Sequence, residues 1–173
     1  CLDSVAALVD EMVIVDTGST DRTIEIVSGY PANVYSYPWN DNFSDARNYS
    51  FSKATMDYCM WMDADDILDA AEMEKFQQLK QSLEPDVDIV MMKYHTAFDE
   101  AGKPSFSYFR ERWIKNTPKY RWIGAVHEVI VPNGKVVYSD LAIFHKKIGA
   151  GDPDRNLRIY NKMIADGTPL EPR

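Results

Sequence analysis

Cysteine is nearly absent from this chain: there are two, Cys1 and Cys59, with no repeated spacing. One opens the chain and the other lies in an apolar run, so a disulfide framework is not expected, and Cys59 reads as an inert core thiol. Long apolar runs are missing too. None approaches the ~20 residues that a membrane span requires, and no signal-peptide pattern is visible, so the expected location is cytoplasmic. Clustered positive charge is the third absence. Nineteen Lys and Arg against 27 Asp and Glu leave a net charge of −8, which argues against a nucleic-acid surface. An acidic balance does not exclude a nucleotide substrate, because a metal ion can supply positive charge locally. Internal repeats and low-complexity segments are also lacking.

What is present is ordinary globular sequence: 173 residues, 45% apolar and 27% charged, enough for one domain with a proper core. The opening Cys1-Leu2-Asp3-Ser4-Val5 has helical apolar spacing but no initiator Met, as if the chain begins inside a helix. Glu11 to Val15 reads as a strand, 22–28 as a helix, 33–37 as a strand ended by Pro38, and 44–54 as a helix capped by Ser44. A short buried strand at 58–60, a helix at 70–83 and a strand at 87–92 follow. Strands alternating with helices at short intervals predict an α/β fold with a mostly parallel sheet flanked by helices. Beyond residue 94 the pattern changes. Residues 94–114 read as a hairpin or irregular aromatic segment whose rings are expected in the core. Residues 122–131 read as a loop entering a strand, Asn133-Gly134 as a hairpin turn, 136–138 and 141–145 as strands, and 155–165 as a helix. The predicted division is 1–95, 96–150 of the same domain, and a C-terminal helix or linker at 151–173.

The chemistry gathers at Trp61-Met62-Asp63-Ala64-Asp65-Asp66. Three carboxylates follow a buried strand, whose end faces the edge where open α/β sheets keep ligands. Asp63 and Asp65 stand two residues apart, so both can approach one hard divalent ion such as Mg²⁺ or Mn²⁺, which takes oxygen ligands and shares them with substrate phosphate. The plainer reading is a solvated acidic loop or a helix cap, the role expected of Asp66. Asp16 ends a strand before Thr17-Gly18-Ser19-Thr20-Asp21. A strand, a glycine turn and a helix start form a nucleotide-binding arrangement or simply a capped turn. Arg47, one turn into its helix, can pair with phosphate or carboxylate, or face water.

Taken together, Val13-Ile14-Val15-Asp16-Thr17-Gly18-Ser19-Thr20-Asp21-Arg22-Thr23, Phe43-Ser44-Asp45-Ala46-Arg47-Asn48 and Trp61-Met62-Asp63-Ala64-Asp65-Asp66 resemble the family 2 glycosyltransferases with the GT-A (Rossmann-like) fold. Three loose motifs in the family's order are specific together, and they cover its nucleotide-sugar half, roughly residues 1–95. Trp122-Ile123-Gly124-Ala125-Val126-His127-Glu128 and Phe144-His145 look like a bacterial subgroup. That subgroup holds lipopolysaccharide-core-type enzymes, peptide S-glycosyltransferases and proteins in which the domain precedes tetratricopeptide repeats.

The resemblance implies transfer of a sugar, with inversion, from a nucleoside diphosphate donor, UDP-linked by preference. The implied acceptor is a glycan, a lipid-linked sugar or a peptide, and a homodimer is one possible assembly. By resemblance Asp16 and Asp21 lie on the nucleoside side and Arg47 near the base and diphosphate. Asp63 lies toward the ribose and Asp65 at the metal, with Asp63 sharing that site, and His145 completes the metal shell. The family's Glu-Asp pair is absent; His127-Glu128 stands in its region. Glu128 is the expected general base, partly desolvated by Trp122, Ile123 and Val126. In a strand His127 would face away from it; its independent claim to be the base is titration near neutrality. His95 is expected to be structural. Family members begin with a strand that is missing before Cys1, so the chain alone is expected to be weakly active or inactive. Two other readings stand: a non-catalytic sugar-nucleotide or protein-binding module of the same fold, and a nucleotidyltransferase, which lacks its Gly-rich Lys loop here.

Overall fold

The computed structural model describes residues 1–147, 149 and 151–170. The chain runs α1 (Leu2–Val5), β1 (Val13–Asp16), α2 (Thr23–Val27), β2 (Asn33–Ser36), α3 (Phe43–Lys53) and β3 (Tyr58–Met60). It continues through β4 (Asp66–Ile67), α4 (Ala70–Ser82), β5 (Ile89–Phe98), β6 (Pro104–Lys115), β7 (Val136–His145) and α5 (Arg155–Ala165). Strands and helices alternate as the apolar runs and turn residues predict, and the fold is mixed α/β. The pairing is more varied than the alternation suggests. β1 and β2 form a parallel two-stranded sheet, and a second sheet has the order β3-β6-β5-β7-β4. In that sheet β5 and β7 are parallel, while β3–β6, β5–β6 and β4–β7 are antiparallel. The long β5–β6 hairpin accounts for this, its turn held by Asp99 Oδ1, which accepts from Ala101 N and Lys103 N.

Several local expectations are corrected. Ser44 does not cap α3: the Asn42 side chain accepts from Asp45 N at 3.2 Å, and Ser44 is buried in the first turn, donating to Gly124 O. Asp66 does not cap α4; that cap is Asp69, which accepts from Glu72 N. No strand forms at 122–131, only an isolated bridge between Ile123 and Val129. Asn133-Gly134 is therefore not a hairpin turn, since β7 pairs parallel to β5. Residues 136–145 make one strand instead of two. Phe106, Tyr108 and Phe109 are exposed, not core.

Apolar side chains pack on both faces of the larger sheet, as alternation along β5 requires. Val90, Met92 and Trp113 pack with Phe76 of α4, Val5, Leu8, Leu141 and Ile143. On the other face Ile89, Met91 and Ile114 pack with Trp61, Tyr120, Trp122 and Ile130. Cys59 is buried and free, and burial pushes its thiol up to about 11. Among the described residues no helix is long and apolar enough to cross a membrane.

Candidate active site

β3 and β4 are the two outer strands of the larger sheet. Trp61–Asp65, which joins them, must therefore pass across the ends of the three strands between. This crossing brings the acidic stretch over the sheet. It is braced from below: Trp61 Nε1 donates to Glu111 O at 2.5 Å, and Arg112 Nη1 donates to Trp61 O at 3.0 Å and to Asp66 Oδ2 at 2.9 Å. Asp66 and Arg112 are both fully buried. The guanidinium lies 3.6 Å from the Trp61 ring centre and 4.2 Å from that of Tyr94. A buried carboxylate without such partners would be costly. Asp66 Oδ2 also accepts from Asp63 N at 3.1 Å, and Asp66 N donates to Asp63 O at 3.0 Å, closing the turn that carries Asp63, Ala64 and Asp65.

Helix α3 supplies the second part. Arg47 donates through Nη2 to Asp63 Oδ1 at 2.7 Å and through Nε to Glu128 Oε1 at 2.6 Å. Its guanidinium centre lies 4.4 Å from the Trp61 ring centre and 5.0 Å from that of Trp122. A planar fork between two ring faces is a task for Arg and not for Lys. Burial tends to push the Asp63 carboxyl up, but the charge and hydrogen bond of Arg47, aided by Arg112 and His145, hold it below the usual carboxylate range. Burial likewise works against the charge of Arg47, and Asp63 and Glu128 outweigh it.

Helix α3 also holds the loop that carries Glu128. Asn48 Nδ2 donates to Trp122 O and its Oδ1 accepts from Trp122 N, both at 2.9 Å. Phe43 N donates to Ala125 O at 2.9 Å. The loop turns through positive φ at Gly124 (94°) and His127 (56°). That turn leaves Glu128 buried and His127 exposed. The separation of the two side chains predicted from strand alternation is present, but a left-handed turn produces it. Arg110 Nη2 adds a hydrogen bond to Glu128 O at 3.1 Å.

The third part lies where β4 pairs with β7, Asp66 facing His145 in register. His145 Nδ1 is 3.4 Å from Asp65 Oδ1 and 3.2 Å from Asp66 Oδ1. The Tyr94 hydroxyl donates to Asp66 Oδ1 at 2.8 Å and lies 2.9 Å from His145 Nδ1. Asp65, Asp66 and His145 present ligand atoms within 4.8 Å of one another. That is near the ~4 Å that opposite ligands of one ion span, and carboxylates with an imidazole suit Mn²⁺ or Mg²⁺.

The predicted site residues thus fall into two touching groups and one separate one. Asp63, Arg47 and Glu128 are in direct contact, as are Asp65 and His145. The structure adds Asp66 to the second group and leaves Asp63 out of it. Asp16 and Asp21 belong to the β1–β2 part, and no contact joins them to either group among those described. Asp16 takes Gly18 N and Ser19 N, and its hydrogen bonds with Ser19 hold its carboxyl below the usual range. Asp21, just ahead of the α2 N-cap Arg22, accepts from Thr23 N and Oγ1, which lowers its carboxyl likewise. Sequence reasoning missed Asp66, Arg112 and Tyr94. Arg110 and Arg112 continue the alternation of Phe106 and Tyr108 along β6, and that was the available signal. His95 lies beside Ser107 and the Phe144 ring.

A mixed α/β sheet with a carboxylate-bearing loop across its strand ends is the architecture of nucleotide-sugar enzymes of the GT-A type. Residues 1–141 match the model of glycosyl transferase family 2, and the chain belongs to that family. It is 33% identical over 132 residues to a TPR repeat-containing protein of Synechococcus elongatus, covering 75% of this chain and 31% of that protein. It is 30% identical over 131 residues to the SPbeta prophage-derived glycosyltransferase SunS of Bacillus subtilis, covering 74% and 30%. To the lipopolysaccharide core biosynthesis glycosyltransferase LpsC of Rhizobium meliloti it is 27% identical, covering 79% and 53%. The chain spans about a third of the length of the first two relatives. Among solved structures, S. aureus TarS superimposes with a TM-score of 0.57 at 15% identity, over 99% of this chain and 37% of that one. TarS 1-349 in complex with UDP-GlcNAc gives 0.56, over 99% and 63%. At that identity the likeness is one of fold.

Proposed function

We propose that this chain carries the donor site and the catalytic base of a metal-dependent, inverting glycosyltransferase. The observation that carries this reading is the contact of Arg47 with both Asp63 and Glu128, with Asp63 two residues before the Asp65 of the Asp65–His145 pair. Asp65 and His145 would hold Mn²⁺ or Mg²⁺, with Asp66 and Tyr94 fixing the imidazole through Nδ1 as outer partners of a metal ligand do. When bound, the ion supplies positive charge for a departing diphosphate. Asp63 faces the ribose, with Asp16 and Asp21 on the nucleoside side. Arg47 meets the diphosphate with a guanidinium already stripped of most of its water. Glu128 takes the proton of the acceptor hydroxyl as its oxygen bonds to the anomeric carbon. The bond from that carbon to the diphosphate breaks on the opposite face, its electron pair leaving with the diphosphate. One displacement inverts the configuration. The donor-binding half is 1–95 and the acceptor side 96–150, with both halves contributing strands to one sheet. A UDP-linked donor is favoured, in keeping with the family and with the UDP-GlcNAc complex of S. aureus TarS.

Calorimetric titration of UDP with and without Mn²⁺ tests donor loading without any acceptor. Binding is expected only with the metal and is expected to fall at least about tenfold in Asp65→Ala. Glu128→Gln should retain that binding while lowering transfer by roughly 10²–10⁴-fold. Metal-independent binding, or unchanged turnover in both variants, overturns the site. Release of inorganic pyrophosphate would indicate nucleotidyl transfer instead, and donor binding without turnover in a protein extended to include the family's first strand a non-catalytic module.

A further inference from the structure

Phe106 and Tyr108 are large apolar side chains left 59% and 40% exposed on β6. They are not isolated. The Phe106 and Tyr108 rings lie 5.7 Å apart at a 45° tilt, Tyr108 meets Tyr94 edge-on at 5.7 Å, and Tyr94 meets His145 at 5.6 Å. Tyr94 and Tyr108 are register partners, and Phe106 lies two residues before Tyr108, so all three share one face of the sheet. The row therefore starts at the Asp65–His145 pair and runs outward to two solvent-facing rings. From the glycosyl-transfer reading above, on which this step rests, we infer that Phe106 and Tyr108 form the acceptor platform and that the acceptor carries an uncharged pyranose ring. The C–H face of a pyranose is an apolar plate that packs on aromatic rings, while its hydroxyls stay solvated or reach polar groups. Two tilted rings at this spacing make a seat about one sugar ring wide. Along the same face of β6 the next residue is Arg110, whose guanidinium is already engaged by the Glu111 carboxylate and Glu128 O, and the chain as a whole carries −8. That charge disfavours a polyanionic acceptor. The same rings flank the outer edge of residues 104–112, for which no strand partner is described. A peptide acceptor would use that edge by strand addition, which makes it the competing outcome.

The test is binding of methyl glucosides, galactosides and N-acetylglucosaminides, and of an extended peptide, followed by NMR of the aromatic side chains. The expected result is saturable shifts of the Phe106 and Tyr108 ring signals with at least one pyranoside. Affinity should fall roughly tenfold in Phe106→Ala/Tyr108→Ala and be kept in Tyr108→Phe. Mn²⁺-dependent UDP binding, measured on the same samples, reports separately on the donor site. Pyranoside binding that ignores the double variant, absence of binding by any pyranoside, or shifts induced only by the peptide would each overturn the proposal.

Discussion

Arg47 is the residue that ties two carboxylates of the site together, since one guanidinium holds a carboxylate from the β3–β4 crossing and another from the 122–128 loop. Its influence on Asp63 has a measurable sign. A carboxyl held below its unfolded value adds stability that is present above the unfolded pKa, about 3.9 for Asp. That stability is lost as pH falls through the folded value. Urea midpoints measured from pH 6 downward should therefore fall less steeply below about pH 4 in Asp63→Asn than in the wild type. A parallel decline would show that Arg47 does not hold Asp63 in solution. Arg112 works differently. Fully buried against Asp66, with Nε and Nη2 lacking hydrogen-bond partners among the described residues, it relies on the faces of Trp61 and Tyr94. Such a pair is weak support for stability, but it joins β6 directly to both ends of the 61–66 stretch, at Trp61 O and Asp66 Oδ2.

At the scale of elements, the crossing from β3 to β4 does what no single residue can. Two short strands at opposite margins of one sheet force the acidic stretch to lie over the strand ends. β7 then delivers His145 by running parallel to β5, and its start depends on Gly134. There φ is +78°, and a Cβ would come within 2.2 Å of Asp88 Oδ2, the oxygen that accepts from Lys135 N. Gly134→Ala should cost about 1–3 kcal/mol by denaturant unfolding, combining left-handed strain with the clash. A neutral result would mean that the turn relaxes freely. Asn133-Gly134 was legible as a turn because Asn-Gly favours positive φ. Its use at the entry to a parallel strand was not, because parallel and hairpin connections share the same local preference.

Across the whole molecule the two sheets are unequal. β1 and β2 pair over four residues each in a two-stranded sheet. Side-chain ties such as Thr55 N to Glu11 Oε2 at 2.7 Å connect that part to the rest. The five-stranded sheet is packed on both faces. Two-stranded sheets are marginal on their own, so amide hydrogen exchange should release 13–16 and 33–36 well before 89–94 and 141–145. Equal protection would show that the chain opens as one unit.

The sequence by itself determined the alternation of elements, the family, and the candidate carboxylates Asp63, Asp65 and Glu128 with Arg47 and His145. Each of these is written in local pattern: apolar period, turn residues, and charged residues beside strand ends. Only the tertiary structure decided how they divide, with Asp63 on Arg47, Asp65 beside His145, and Asp66 withdrawn into the core on Arg112. It also decided that the aromatic run of β6 faces solvent. Those outcomes depend on strand order and register, which set which face of a strand is covered, and spacing along the chain does not encode the partner that covers it.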